Sequence, residues 1–186
     1  MVEAQARPYT YKDLEAFPED HRYRYEIIDG DLVVSPSPGE RHQAAVVNLV
    51  FAIRAFLEVH PIGSVYVAPF DVLFSEVNVV EPDLLFVGAD RKSLIEQNGV
   101  HGAPDLVIEV LSPSTRRTDV TRKKDLYERG GVREYWIVHP EERWVEMLRL
   151  AGGVFVHFAT LAADRHEVLT SPVLPGFSLE LQRLFA

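Results

Sequence analysis

Glu109 stands in the middle of an otherwise apolar run, DLVIEVL over residues 105–111. The run is rich in β-branched residues, which is how a strand covered on both faces reads. Side chains alternate along a strand, so Asp105, Val107, Glu109 and Leu111 share one face. An unpaired carboxylate in such a place would cost several kcal/mol or stay protonated. The fold must therefore bring Glu109 either a basic partner or a bound cation. Taken alone, the residue fits a buried ion pair with an arginine as well as it fits a metal ligand.

A second carboxylate shifts that balance. Asp83 follows Pro82 and opens the apolar run Leu84–Val87, while Pro104-Asp105 is a competing pair. Asp105 and Glu109 are four residues apart on one strand, about 13 Å, too far to share one ion. Adjacent strands lie only about 4.8 Å apart, so Asp83 can meet Glu109 if their strands are neighbours. Asp105 is then a strand-opening residue. Lys123 supplies the third element. On a helix from Asp119 to Gly130 it falls at i+3 from Val120, i−3 from Leu126 and i−4 from Tyr127, in the middle of the apolar face. A lysine turned inward beside a buried glutamate marks a functional site. Glu26, in YEIIDG, reads by itself as an exposed position on a half-solvated hairpin.

The remaining pattern sets the fold class. Residues 1–9 read as a loose tail, followed by a single domain over residues 10–186. Thr10 caps a short helix to about Phe17, with Asp13 completing a capping box. Asp29-Gly30 between two β-rich runs predicts a two-residue hairpin. A helix over Glu40–Val59 is apolar almost all round and is expected to be buried between layers, with Arg54 on a narrow polar stripe. Strands are expected at Val65–Ala68, Asp71–Phe74, Leu84–Val87, Asp105–Leu111 and Glu134–Val138, with a short helix at Asp90–Gln97. A helix over Asp119–Arg129 stops at Gly130-Gly131. A hairpin turns at Gly152-Gly153, and a short strand lies near Phe177. Strands and helices mix without regular βαβ alternation, which predicts an α/β domain of mixed α+β character, with helices flanking a mixed sheet.

Composition removes several chemistries. There are no cysteines, which excludes disulfides, thiolate metal sites and cysteine nucleophiles and makes a reducing cytoplasm the expected setting. The longest apolar stretch, Ala44–Leu57, is interrupted by Asn48 and Arg54, so no membrane span is expected, nor does the N-terminus read as a signal peptide. The net charge of −9 argues against a broad basic surface for long duplexes. Locally the balance reverses: Arg116, Arg117, Arg122, Lys123 and Lys124 put five of the 19 basic residues into nine positions, near a helix start that favours anions.

These residues form a recognisable set. The sequence resembles the restriction-endonuclease-like PD-(D/E)XK superfamily, and within it a large bacterial family. The matching segments are YEIIDG, the region of His42, EPDLLFV, APDLVIEVLSPST, the helix carrying Asp119, Lys123 and Tyr127, GVREYWIV and LPGFSLEL. They run from about Tyr9 to Phe185. The resemblance implies a restriction-endonuclease-like core with Asp83 as the aspartate of the Pro-Asp motif, Glu109 as the acidic residue of the (D/E)XK motif and Glu26 as the upstream acid. One position departs: two residues after Glu109 stands Leu111 rather than lysine, and Lys123 matches the relatives that supply the amine from the next helix.

The function implied is phosphodiester hydrolysis. Asp83 and Glu109, with the carbonyl of Val110 and a possible contribution from Glu26, would hold Mg²⁺ or Mn²⁺, for which carboxylates are suited hard ligands. Lys123 would position water or stabilise developing charge. Ser114, Thr115, Arg116, Arg122, Lys124 and Tyr127 are the expected phosphate contacts, and His42 could reach the site. The expected partner is nucleic acid, DNA foremost, with the chain acting as a homodimer. Two other functions fit the same residues: a noncatalytic nucleic-acid-binding or regulatory module, and a metal-dependent hydrolase of small phosphates.

Overall fold

The computed structural model describes residues 7–17 and 22–186. In chain order it places helix α1 at Tyr11–Leu14, strands β1 at Tyr23–Ile28 and β2 at Asp31–Pro36, and helix α2 at Glu40–Val59. Strands β3 at Gly63–Val67, β4 at Asp71–Ser75, β5 at Asn78–Val80 and β6 at Leu84–Gly88 follow. Next come β7 at Ile95–Glu96, β8 at Gly99–His101 and β9 at Leu106–Val110. A helical run then comprises α3 at Arg116–Thr118, a π-turn at Asp119–Lys123 and α4 at Lys124–Gly130. The chain ends with β10 at Glu134–His139, β11 at Trp144–Ala151, β12 at Val154–Ala162, β13 at Val168–Thr170, β14 at Ser178–Glu180 and helix α5 at Leu181–Leu184.

The strands form two six-stranded sheets, ordered β2-β1-β5-β4-β8-β7 and β12-β11-β10-β9-β6-β3, with β13 and β14 as a separate pair. In the second sheet β9 pairs parallel with β10 and antiparallel with β6, so the fold is mixed α+β. One face of that sheet carries Leu84, Phe86, Leu106, Ile108, Val110, Trp136 and Val138 against the buried stripe of α2. The opposite face carries Leu85, Val87, Val107, Leu111 and Ile137 against Leu126 and Tyr127 of α4 and against Ile28, Val72, Val80 and Val100 of the first sheet. The strand β9 is buried along its whole length, as its continuous apolar run requires. The expected hairpin forms at Asp29 and Gly30, both at positive φ of 55° and 79°, the backbone that a two-residue primed turn demands.

Several expectations need correction. Helix α2 is not buried between layers. His42, Ala45, Val46, Leu49, Ile53 and Leu57 make one buried stripe at helical spacing, while Val47 and Phe51 on the outer side are 62% and 76% exposed. Averaged over its length α2 is also apolar and long enough to cross a membrane, despite Asn48 and Arg54; its inner stripe packs as a core helix does. Helix α1 is one turn rather than two, with the Asp13 carboxylate accepting from the Thr10 N–H at 2.9 Å and its hydroxyl at 2.8 Å. The segment expected to be helical at Asp90–Gln97 is a 3-10 turn at Ala89–Leu94 followed by β7. Of the expected loose tail, residues 1–6 lie outside the described residues; in the remainder, Tyr9 N–H donates to the Gly30 carbonyl at 2.9 Å and Arg7 pairs with Asp13 at 2.6 Å.

The stripe on α2 makes a direct comparison possible. Leu49→Ala or Ile53→Ala is expected to destabilise the fold by about 2–5 kcal/mol, whereas Phe51→Ser should change it by no more than about 0.5 kcal/mol. Urea unfolding of the three variants measures this. A large loss from Phe51→Ser would mean that the outer face is covered in solution.

Candidate active site

Strand register brings the first two carboxylates together. Leu84 faces Ile108 across the antiparallel β6–β9 pair, so one step further sets Asp83 beside Glu109. Alternation puts Asp83 on the face of Leu85 and Val87, and Glu109 on that of Val107 and Leu111. Both therefore point toward α4. The β1–β2 hairpin closes over this face and contributes Arg24 and Glu26, two residues apart and hence on one side of β1. Glu26 is buried, contrary to the exposed position its sequence context suggests, because the first sheet packs its apolar side, through Ile28, Val72 and Val80, on the second.

Lys123 lies at the centre of the cluster, 2% exposed. Its Nζ is 2.8 Å from Glu26 Oε1, 3.0 Å from Glu109 Oε1 and 3.8 Å from Asp119 Oδ1. Tyr127 donates its hydroxyl to the same Glu109 oxygen at 2.6 Å, and the Glu81 N–H donates to Glu26 Oε1 at 2.8 Å. The apolar face of the helix is shifted from the expectation: Asp119, not Val120, is buried with Lys123, Leu126 and Tyr127. This stretch is a π-turn, a local widening frequent at functional sites.

Asp83 is held from three sides. Arg24 Nη2 donates to Oδ1 at 3.0 Å, while Oδ2 lies 3.0 Å from His42 Nε2 and accepts the Val110 N–H at 2.8 Å. An ionised Asp83 only accepts, so His42 Nε2 carries a proton toward it; Nδ1 is buried without a hydrogen-bond partner. Asp119 Oδ1 is likewise buried and unbonded.

Electrostatics follow from the count of charges. Among the described residues, Glu26, Asp83, Glu109 and Asp119 face only Arg24 and Lys123 as permanent cations. Burial alone would raise Asp83, yet His42, Arg24 and the Val110 N–H bring it down to about 2. Burial pushes Glu109 up to about 8, since Lys123 is shared and Asp119, Asp83 and Glu26 all add negative charge. Asp119 is pushed to about 6, again by burial first. For Lys123, burial is outweighed by Glu109, Glu26 and Asp119, and the amine is held well above its usual value.

The expected phosphate contacts separate. Thr115 lines the site cavity and, like the exposed Ser114, has its hydroxyl 3.0 Å from Ser112 Oγ. Arg116 is exposed at the start of α3 and Lys124 is half-buried. Arg122 instead turns to the hairpin, donating to the Ile28 carbonyl and to Asp31. Tyr127 has no exposed surface, so it positions Glu109 and is not available to a phosphate. Two site residues were missed. Arg24 could have been found as the residue sharing Glu26's face of β1, and Asp119 as the residue one helical turn before Lys123. Asp105 stays apart: it accepts the Gly88 N–H and pairs with Arg91 and Arg133, each at 2.8 Å.

Whether these residues suit a divalent cation can be judged from the site itself. Among the described residues no three Asp, Glu or His side chains stand ready-spaced around a metal ion. The donor chemistry fits nonetheless: all-oxygen ligands, more buried carboxylates than cations, an unbonded Asp119 oxygen, and a cavity of about 20 Å³ bordered by Asp83, Glu109, Asp119 and Lys123, enough for one water-sized occupant.

The charge assignment predicts how stability varies with pH when no metal is added. The folded values of Glu109 and Asp119 lie above their ordinary 4.5 and 3.8, so folding takes up protons. Their contribution is full below those ordinary values and is lost as pH rises through about 6 and about 8. Asp83 acts oppositely, its contribution being present above 3.8 and lost as pH falls toward about 2. Thermal unfolding of the metal-free protein is therefore expected to show falling stability from about pH 5 to pH 8, and Glu109→Gln should flatten that fall. Stability that rises across this interval would contradict the assignment.

The sequence pattern of a family described as "Uma2: Putative restriction endonuclease" matches residues 9–182. Among solved structures, the chain is similar to one described as a "putative nuclease belonging to DUF820" from Anabaena variabilis, with a TM-score of 0.76 and 23% identity, covering 96% of this chain and 98% of that one. Among curated proteins none matches. The structural likeness establishes a restriction-endonuclease-like fold, and the family match spans nearly the whole chain, which therefore belongs to the Uma2 family.

Proposed function

We propose that the chain is a metal-dependent endonuclease that hydrolyses phosphodiester bonds, with DNA as its polymer. The observation that carries this reading is the pairing of Asp83 with Glu109 on adjacent strands, with the buried amine of Lys123 between Glu109 and Glu26. A structural ion pair needs one cation per carboxylate; this cluster has a surplus of carboxylates on the wall of a cavity.

Asp83 and Glu109, with the Val110 carbonyl and Glu26 or Asp119, would hold Mg²⁺ or Mn²⁺. Such an ion supplies an acidified water and neutralises phosphate charge. The chain's own groups do the rest. His42 and the Val110 N–H fix the Asp83 carboxylate. Tyr127 and Lys123 fix Glu109, and Lys123 places a permanent positive charge where negative charge develops on the phosphate. Arg24 offers its guanidinium to a phosphate oxygen; Thr115, which lines the cavity, with Ser114, Arg116 and Lys124 would meet the neighbouring phosphates. As part of the same proposal, the chain works as a homodimer in the reducing cytoplasm, which suits a protein without cysteines.

Labelled single- and double-stranded DNA and RNA incubated with the purified protein and Mg²⁺ or Mn²⁺ test the reading. Cleavage of DNA is expected, lowered on the order of a hundredfold or more by Asp83→Ala and by Lys123→Met. Cleavage that survives Asp83→Ala would place the chemistry elsewhere. Absence of cleavage together with salt-sensitive binding would leave a noncatalytic nucleic-acid-binding module.

A further inference from the structure

A separate cleft of about 580 Å³ opens beside the carboxylate cluster, between α1, the β1–β2 hairpin and the Ala68–Asp71 segment. Its size lies within the range of small-ligand sites, about 300–1,000 Å³. Tyr11, Phe17, Tyr23 and Tyr25 line it. Phe17 and Tyr25 are stacked, with ring centroids 5.1 Å apart and planes 8° apart. Tyr23 leans on Tyr25 at 6.5 Å and is exposed.

The charged groups on its walls are Glu15, Asp71 and Glu81, with Arg24 as the one cation among the described lining residues. Arg24 also borders the site cavity, as do Pro36 and Pro38. The two spaces are therefore neighbours that meet at Arg24.

These features select the occupant. Glu15, Asp71 and Glu81 outnumber Arg24, and burial raises Asp71 to about 6 and Glu81 to about 7, so the cleft offers no surplus of positive charge to a nucleic-acid backbone. Aromatic faces favour a flat neutral ring, and carboxylate oxygens accept from the N–H groups of amino-bearing bases. We propose that the cleft receives an unpaired nucleobase of the substrate strand, while the adjoining phosphate lies at Arg24 and the carboxylate cluster. This rests on the nuclease reading and deepens it: the substrate at this site is single-stranded or has a base turned out of its stack. Adenine, cytosine and guanine suit the walls better than thymine, whose edge presents two carbonyl oxygens.

The test is a titration of the full chain in EDTA, at low ionic strength, with short single-stranded oligodeoxynucleotides. One oligonucleotide carries a fluorescent adenine analogue, and a matched one carries an abasic site in its place. Stacking is expected to quench the analogue. Tyr25→Ala and the exposed Tyr23→Ala should each weaken binding by about fivefold to a hundredfold, and the abasic strand should bind the wild-type protein equally weakly. Equal affinity for the base-bearing and abasic strands, indifference to both variants, or no binding at all would overturn the inference. No metal or cleavage enters the measurement, so the two readings fail separately. Base-blind binding alongside Asp83-dependent cleavage sinks the cleft alone. Base-dependent binding with no cleavage in either metal supports the cleft and removes the nuclease.

Discussion

The structure is organised around one buried amine. Lys123 reaches Glu26 from the first sheet, Glu109 from the second and Asp119 from its own helix, so a single charge ties together the three elements that enclose the site. Burying a charge is unfavourable unless it is paired, and even a well-paired buried ion cluster is often no more stable than apolar packing of the same volume. The two apolar clusters on either face of β9 are what stabilise the fold. They hold Lys123 and its partners in place at a cost in stability, and such a cost is what a site for chemistry incurs.

The protein contains a built-in contrast. Asp83 and Asp105 both follow proline, both are buried, and each sits at the end of a strand of the same sheet. Asp105 receives two arginines and a backbone N–H; its charge is more than compensated and it acts as a structural lock. Asp83 lies in a group where carboxylates outnumber cations and where, among the described residues, two buried polar atoms, His42 Nδ1 and Asp119 Oδ1, have no hydrogen-bond partner. Imbalance of charge and unsatisfied hydrogen-bonding capacity, rather than burial, separate the two.

Much of this was legible in the sequence, for identifiable reasons. Period-two alternation around Glu109 and the position of Pro82-Asp83 show that the two carboxylates can share a face if their strands are neighbours; the β6–β9 pairing itself comes from the structure. The Asp29-Gly30 turn and the helix stop at Gly131 are legible because each needs a positive-φ backbone that few other residues adopt. The burial of Glu26 and the approach of Arg24 were not legible, because they depend on how the first sheet packs on the second, a contact between segments more than fifty residues apart. Nor was the half-exposure of α2: its outer residues Val47 and Phe51 are as apolar as its inner ones, so hydrophobicity alone does not tell the two sides apart. The π-turn at Asp119–Lys123 moved Val120 outward, where a regular helical wheel puts it inside.

The acidic total charge, which at first argues against a nucleic-acid enzyme, takes on a different meaning once the charges are located. Glu26, Asp83, Glu109 and Asp119 are inside the protein, partly balanced there by Lys123 and Arg24, and they act most strongly on whatever occupies the cavity. Arg116 and Arg117 are exposed near the mouth, with no acidic residue between Leu111 and Thr118. On the proposed function a phosphate would meet local positive charge there, on a chain whose net charge is −9. On the proposed nuclease reading, a surface of that kind would disfavour loose binding along a duplex and would confine contact to one short stretch of strand beside the small cavity and its single buried lysine.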